Sequence, residues 1–387
     1  MTATTRPSES IAAVPTLFLA FDLGASTWKL GFTTSLGQSP RIRTIRARSL
    51  EVLLQEIRAA KKRFGLAAEA AMVSCYEAGP DGFWLHRWLT AQGVRNVVVD
   101  SSSIEVNRRA RRAKTDRLDV RKLLEQLQRY LAGQKTWSVV RVPSMVEEDG
   151  RQPHRELGAL KQDRGRVTNR VHSLLALQGV VLALAPELTV AQFQHRLDRV
   201  RLWDGQRVPA ALQARLLREW EAVVLATTRI ATLERERRAQ LREASAPHVD
   251  QVRALMDLRG IGENSAWLWV MEFFAWREFR NRREVGGLAG LTGTPWASGH
   301  RQHDQGISRA GNRRVRAMAV EIAWLWLRFQ PQSALSQWYL RRFGHGGSRL
   351  RRIGIVAMAR KLLIELWRYL RSGLIPEGAV LKGTSAA

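Results

Sequence analysis

Leu17-Phe18-Leu19-Ala20-Phe21-Asp22-Leu23-Gly24 is an apolar run broken by one acid and closed by a glycine. A run this short, ended by a turn signal, reads as a buried β-strand. A lone carboxylate at the end of such a strand is costly unless it is paired or holds a metal ion, so Asp22 is a candidate site residue. The pattern continues outward from it. Residues 28–34 and 42–47 read as two more strands, joined through Gly37 and Pro40, and residues 50–64 as an amphipathic helix with Leu53, Leu54 and Ile57 inward. Residues 71–77 form a fourth strand, running into Tyr76-Glu77-Ala78-Gly79-Pro80, which sets Glu77 at a strand tip above a turn. A helix at 82–90 and a fifth strand at 94–100 follow.

The order β-β-β-α-β-α-β is followed by a helix headed by Lys114-Thr115-Asp116-Arg117-Leu118-Asp119. It matches an α/β domain of the RNase H-like (RuvC-like) kind over residues 14–145. There the first strand is central and the fourth lies beside it in parallel. Asp22 and Glu77 would converge, and the next helix would lay Asp116 and Asp119 over the same spot. Two acids three residues apart share one helix face. Four carboxylates in one place repel, and divalent cations relieve this. Oxygen-only ligands favour Mg²⁺ or Mn²⁺ over zinc. Two such ions can activate a nucleophile and stabilise the leaving oxygen of a phosphoryl transfer. Just upstream, Arg108, Arg109, Arg111, Arg112 and Lys114 crowd one another and attract a polyanion. Each acid alone has a plain structural role: Asp22 in a strand-end turn, Glu77 capping a helix, Asp116 and Asp119 at a positive dipole end. The metal site is argued from all four in this order. Asp81 and Asp100 rank lower as turn residues, and Cys75 reads as a small buried residue.

Composition agrees. The chain has 387 residues, with 62 Lys plus Arg against 35 Asp plus Glu, a net charge of +27. An excess spread along the chain points to DNA or RNA as partner. No run of about 18 apolar residues could span a membrane. A single cysteine excludes a disulfide framework and any familiar zinc-ligand spacing, and suits a reducing cytoplasm. Fourteen tryptophans suit core and interface, with some free to stack on bases. Residues 1–13 read as a disordered leader.

The middle, residues 146–250, reads as a helical coiled-coil hairpin. After a connector at 133–153 with Pro143, Gly150 and Pro153, residues 156–182 carry a seam of Leu157, Leu160, Arg164, Val167, Val171, Leu174, Gln178 and Val181. Residues 210–244 repeat it with Leu212, Leu216, Trp220, Val223, Thr227 and Ile230. The pair brackets 186–209 and serves as an arm, a dimerisation element or a bundle within one subunit. Residues 251–387 read as a mainly helical C-terminal domain. Leu258-Arg259-Gly260-Ile261-Gly262-Glu263-Asn264-Ser265 has the helix-hairpin-helix pattern, in which the backbone at Gly260 and Gly262 approaches a phosphate; a tight interhelical turn would look the same. Ser298 sits in a Gly/Pro-rich loop, before the small Gly299. Arg309, Arg313 and Arg314 grip a phosphate if that loop folds back on the next helix. A serine hydroxyl needs a base or metal to take its proton, here the carboxylate-bound metal, His300 or His303; alone, Ser298 is an ordinary loop serine. A Trp-rich helix at 315–329, five arginines within 341–352 (Arg349 and Arg351 among them) and a helix at 353–370 complete the chain. No segment looks like a base-reading zinc finger or basic zipper.

Taken together, these marks resemble the transposases of insertion-sequence family one-ten, the bridge-RNA-guided recombinases. The resemblance runs from about residue 17 to 370 and rests on Asp22, Glu77, the Lys-Thr-Asp-x-x-Asp run with Asp116 and Asp119, the Gly-Ile-Gly turn, Ser298-Gly299 and Gly306-Ile307-Ser308-Arg309-Ala310-Gly311-Asn312. It implies that Asp22, Glu77, Asp116 and Asp119 are metal ligands, and that Ser298 is the nucleophile forming a phosphoserine link to DNA. It also implies a composite active site across a tetramer of paired dimers, in a bacterial, nucleoid-associated protein. A structured guide RNA would pair with donor and target DNA. Two other functions fit the residues: a junction-resolving nuclease using the carboxylates alone, and a non-enzymatic nucleic-acid scaffold.

Overall fold

The computed structural model describes residues 15–79, 82–104, 116–298, 301–309 and 311–383. The leader at 1–13 and the basic run Arg108, Arg109, Arg111, Arg112 and Lys114 lie outside the described residues. The chain divides into two compact units, Met1–Val142 and Pro143–Ala387.

The first unit is a five-stranded mixed sheet with helices on both faces. Its elements are β1 (Thr16–Leu23), β2 (Thr27–Thr33), β3 (Arg41–Arg46), α1 (Leu50–Arg63), β4 (Ala71–Glu77), α2 (Trp84–Ala91), β5 (Arg95–Val99) and α3 (Asp116–Leu131). The strand order is β3-β2-β1-β4-β5. β1 is central and parallel to β4, as expected from the sequence, and it pairs antiparallel with β2. Strands buried on both faces read as near-continuous apolar runs, which is why β1 and β4 were legible. Leu17, Leu19 and Phe21 face α1 and α2, with Leu53, Ile57, Leu85 and Leu89; Ala20, Val73, Cys75 and Val97 face α3, with Val120, Leu123, Leu124 and Leu127. α3 presses so close on β2 that a Cβ at Gly31 would lie 2.3 Å from Val120 Cγ1 and 2.9 Å from Leu124 Cδ1.

The second unit is helical apart from one β-ribbon. It comprises α4 (Met145–Asp149), α5 (Gln152–Ala176), α6 (Val190–Arg199), α7 (Ala210–Glu243), α8 (Pro247–Asp257), α9 (Glu263–Trp269), α10 (Arg282–Leu288), β6 (Gly293–Ser298), β7 (Arg301–Ile307), α11 (Arg313–Phe329), α12 (Ala334–Tyr339) and α13 (Ser348–Ser372). The expected connector contains α4, capped by Ser144 and Glu147, and Pro153 lies inside the first turn of α5. Proline is tolerated there because the first helical N–H groups have no partner to lose. The stretch between the long helices holds α6, packed through Phe193 on Trp220 with ring centroids 4.4 Å apart. α5 and α7 run antiparallel, since Lys161 pairs with Glu234 at 2.7 Å and Arg170 with Glu219 at 2.9 Å. Their interior is Leu157, Val171 and Leu175 against Leu216, Trp220, Val223, Ala226 and Ile230. Leu175 and Ala226 therefore take places expected for Leu174 and Thr227. Among the described residues, no helix is long and apolar enough to cross a membrane.

Candidate functional site

In the first unit, alternation along β1 points Asp22 to the same face as Ala20, toward α3, and alternation along β4 does the same for Glu77 after Cys75. The parallel register pairs Phe21 with Tyr76, so Asp22 and Glu77 occupy the next row, at the C-terminal ends of neighbouring strands. Adjacent strands lie about 4.8 Å apart. The nearby Glu77 charge adds to burial in pushing the Cys75 thiol up, so Cys75 stays a protonated, unreactive core group.

Thr136 Oγ1 donates to the Gln126 carbonyl, and the chain then reaches the C-terminal end of β5, where Asp100 N–H donates to Ser138 C=O. α3 lies over the face that Asp22 and Glu77 share, with Val120, Leu123 and Leu124 packed at Ala20, Cys75 and Gly31. Val120 covers Gly31, which pairs with Ala20, one row below Asp22. Asp119 directly precedes Val120, and Asp116 lies four residues, about 6 Å along the helix, before Val120. For Asp116, Asp119 and Ser298 the backbone alone is described. Among the described side chains no group of three or more His, Cys, Asp or Glu could hold a metal ion, and only Asp22 and Glu77 of the four acids belong to that set.

In the second unit, Ser298 ends β6 of a two-stranded antiparallel ribbon, opposite Arg301, rather than lying in an open loop. Proline is tolerated in such a ribbon because each strand has a free edge. The tip stands five residues from Gly293, or about 16 Å at the usual strand rise. Arg309, Arg313 and Arg314 lie past the base of the ribbon, at the head of α11, and are not brought to Ser298 by a folded-back loop.

That head is built tightly. Asn312 caps α11, accepting from the N–H groups of Arg314 and Val315. Gly311 has φ +82 and passes so close to the Leu288 carbonyl that a Cβ would lie 2.0 Å from its oxygen, so only glycine fits. Arg309 holds φ 56, an uncommon conformation for a residue with a side chain. Arg316, absent from the expected set, belongs to this cluster. Partial burial, then the charges of Arg309 and Arg313, lowers its pKa. Guanidinium groups crowded in this way at a helix N-terminus suit an anion better than they suit the fold.

The Gly260–Gly262 turn joins α8 to α9. Gly260 has φ +89 and packs on Phe329, with a Cβ position 3.3 Å from Phe329 Cβ. Its carbonyls are used internally: Gln330 Nε2 donates to Arg259 C=O and Lys382 Nζ to Ile261 C=O. The Gly262 N–H, the kind of donor a helix-hairpin-helix turns to a phosphate, is given to Ser265 Oγ at 3.2 Å, although Gly262 itself is exposed. Arg349 and Arg351 are exposed in the first turn of α13, where cations oppose the helix dipole.

Sequence reasoning missed Glu272. It sits in a π-helical turn, Val270–Phe274, and is 2% exposed. Arg155 donates to both its oxygens, at 2.8 and 3.0 Å, Asn312 Nδ2 donates at 3.4 Å, and Arg314 Nη1 stands 3.7 Å away. Burial alone would raise its pKa, but the Arg155 hydrogen bond and the charges of Arg155, His154 and Arg151 outweigh this and hold it low. A lone acid inside Trp267–Phe274 was the available signal, because buried carboxylates need partners.

Over residues 252–339, the segment carrying this turn, Glu272, the ribbon and the head of α11, the chain matches the family described as "Transposase IS116/IS110/IS902 family". It is also 39% identical to the Sinorhizobium fredii protein named "Putative transposase y4rJ", over 95% of this chain and 94% of that one. The chain belongs to the IS116/IS110/IS902 transposase family. A second Sinorhizobium fredii protein of this kind, y4qE, is 25% identical over 74% of this chain and 66% of its own. The transposase for insertion sequence element IS1328 of Yersinia enterocolitica is 24% identical over 48% of this chain and 52% of its own.

In this transposase-family chain the Glu272 cluster also governs acid stability. Burial, and then the charges of Arg237, Arg314 and Arg155, lowers the His154 pKa from 6.5 to about 4, despite the opposing pull of Glu272. Below pH 6.5 the unfolded chain takes up a proton that the folded chain refuses until about pH 4. Stability from this group is therefore complete above pH 6.5 and lost as pH falls toward 4. Between pH 8 and pH 5 the expected loss is on the order of 2 kcal/mol. Urea unfolding of His154→Leu should show a shallower loss over that interval; an unchanged slope would remove His154 as the cause.

Proposed function

We propose that the protein is an RNA-guided insertion-sequence recombinase, joining donor and target DNA through magnesium-dependent strand cleavage and a covalent phosphoserine intermediate. The observation that carries this is the row formed by Asp22 and Glu77 at the ends of two parallel strands, on the sheet face that α3 covers. That arrangement supports an RNase H-like first unit. Its all-oxygen donors fit Mg²⁺ or Mn²⁺ better than zinc. Asp22, Glu77, Asp116 and Asp119 would hold the ion, which supplies charge neutralisation at the phosphate and a lowered pKa for an attacking hydroxyl.

Ser298 attacks phosphorus through Oγ. An Oγ–P bond forms, a strand P–O bond breaks, the hydroxyl proton passes to a base and the leaving oxygen is protonated in turn. Placing Ser298 at the end of β6 suits attack on a strand held by another subunit, in an assembly of two dimers. Arg309, Arg313, Arg314, Arg349 and Arg351, the Gly260–Gly262 turn and the basic run before Asp116 would contact phosphates of DNA or of a structured guide RNA. Such a protein works in the bacterial cytoplasm, at the nucleoid.

A nuclease using the carboxylates alone is the second reading, favoured by the separation of Ser298 from the head of α11. Ser298→Ala decides between them. Loss of strand transfer, together with loss of a denaturant-resistant protein–DNA adduct that the parent protein forms, is expected. Cleavage at the parental rate, with no adduct in either protein, would favour the nuclease.

A further inference from the structure

The register that aligns Asp22 with Glu77 also fixes a third neighbour. β2 pairs with β1 so that Lys29 lies directly opposite Asp22, and β3 continues the row with Thr44. Gly31 faces α3, against Val120, and the two-residue period of a strand therefore turns Lys29 to that same face. Directly opposed residues in an antiparallel pair have Cβ atoms about 4.5–5.5 Å apart. The row at this edge reads Thr44, Lys29, Asp22, Glu77 and Val99, with a cation set beside the two acids.

The other positions of β2 explain themselves. Trp28, Leu30 and Phe32 fill the core toward α1 and α2, and Gly31 makes room for α3. Lys29 is half-buried, one row beyond Gly31 and level with Asp22. A lysine so close to acids that hold a divalent ion weakens ion binding by charge repulsion. That cost has a chemical use if an anion arrives with the ion. Charge in phosphoryl transfer is spread over the equatorial oxygens, and the ammonium of lysine is a compact donor suited to one of them.

We propose that Lys29 belongs to the phosphoryl-transfer site and that its ammonium holds a non-bridging oxygen of the DNA phosphate acted on beside Asp22 and Glu77. This rests on the carboxylate reading given above. The test uses the full chain with the transcript flanking its gene, and a plasmid carrying the joined ends of the element.

Lys29→Gln should cut strand cleavage at saturating Mg²⁺ by about 100-fold, the size seen when one charge-stabilising donor is removed. The Mg²⁺ concentration for half-maximal rate should stay the same or fall, and Lys29→Arg should recover at least part of the loss. Parental cleavage by Lys29→Gln at saturating Mg²⁺ would overturn the proposal, since it would show a lysine that only balances Asp22. Titration with MnCl₂ alone, without DNA, separates the two layers. Lys29→Gln should still bind the ion and Asp22→Asn should not. Loss of ion binding in Lys29→Gln, with a fall in melting temperature, would make the residue structural and also overturn the proposal. If Lys29→Gln does not fold, Lys29→Met keeps the apolar stem and is read in the same way. Parental ion binding and cleavage by Asp22→Asn would instead sink the carboxylate reading itself, whatever Lys29 does.

Discussion

Asp22→Asn is expected to lower magnesium-dependent strand cleavage by at least about 1,000-fold, equivalent to roughly 4 kcal/mol of transition-state stabilisation, while the protein stays folded. The size follows from position. Asp22 lies at the end of the central strand, opposite Lys29 on one side and level with Glu77 on the other, so an amide there removes a charge from the middle of the row. Glu77→Gln should act in the same direction with a smaller effect, because Glu77 is exposed at its strand end and water can occupy part of its place. A second readout needs no DNA. An ion that binds only the folded protein raises stability by about 2.7 kcal/mol at one hundred times its dissociation constant. Parental protein should therefore melt higher in Mg²⁺ than in a chelator, and Asp22→Asn should lose that increment. An equal increment in both proteins would mean that the ion binds elsewhere.

Much of the first unit was legible in the sequence for a definite reason. β4, Ala71–Glu77, matches its expected bounds because an apolar run ends abruptly at a charged residue and a glycine turn. Once β1 and β4 are parallel and end at one edge, Asp22 and Glu77 become neighbours by register alone. The second unit was harder, because its decisive features depend on contacts distant in sequence. Pro153 looked like a helix breaker and lies in the first turn of α5. Pro295 and Gly299 suggested a loop, yet residues 293–298 pair with 301–307 as a ribbon. The run from Gly306 to Asn312 read as a mark of family resemblance, and its Gly311 and Asn312 also build the head of α11 against Leu288 and Glu272. The Gly-Ile-Gly turn was visible, but the cover given by Gln330 and Lys382 was not. No local pattern marks the π-helical turn that aims Glu272 inward, since Arg155 and Asn312, its partners, lie 117 and 40 residues away.

Glu272→Ala is expected to destabilise the second unit by about 3 kcal/mol, the lower end of the range for breaking a buried ion pair, because Arg155 is 40% exposed and regains water. The loss comes from what is left behind. Arg151 is 4% exposed and stacked on Trp276, His154 is held neutral, and Arg314 and Arg155 converge on the same place, so removing the acid leaves like charges facing one another. Replacing both partners, as in Glu272→Met with Arg155→Leu, should cost much less than the sum of the single changes, since no buried charge is stranded. Chemical denaturation of the four proteins measures this coupling. The same cycle carries a functional readout. Asn312 and Arg314 hang from Glu272 at the head of α11, so Glu272→Gln, which keeps the shape and loses the charge, should loosen the Arg309–Arg316 cluster and weaken DNA binding. If Glu272→Gln binds DNA with parental affinity and parental salt dependence, the cluster holds its geometry without the acid, and Glu272 serves folding alone.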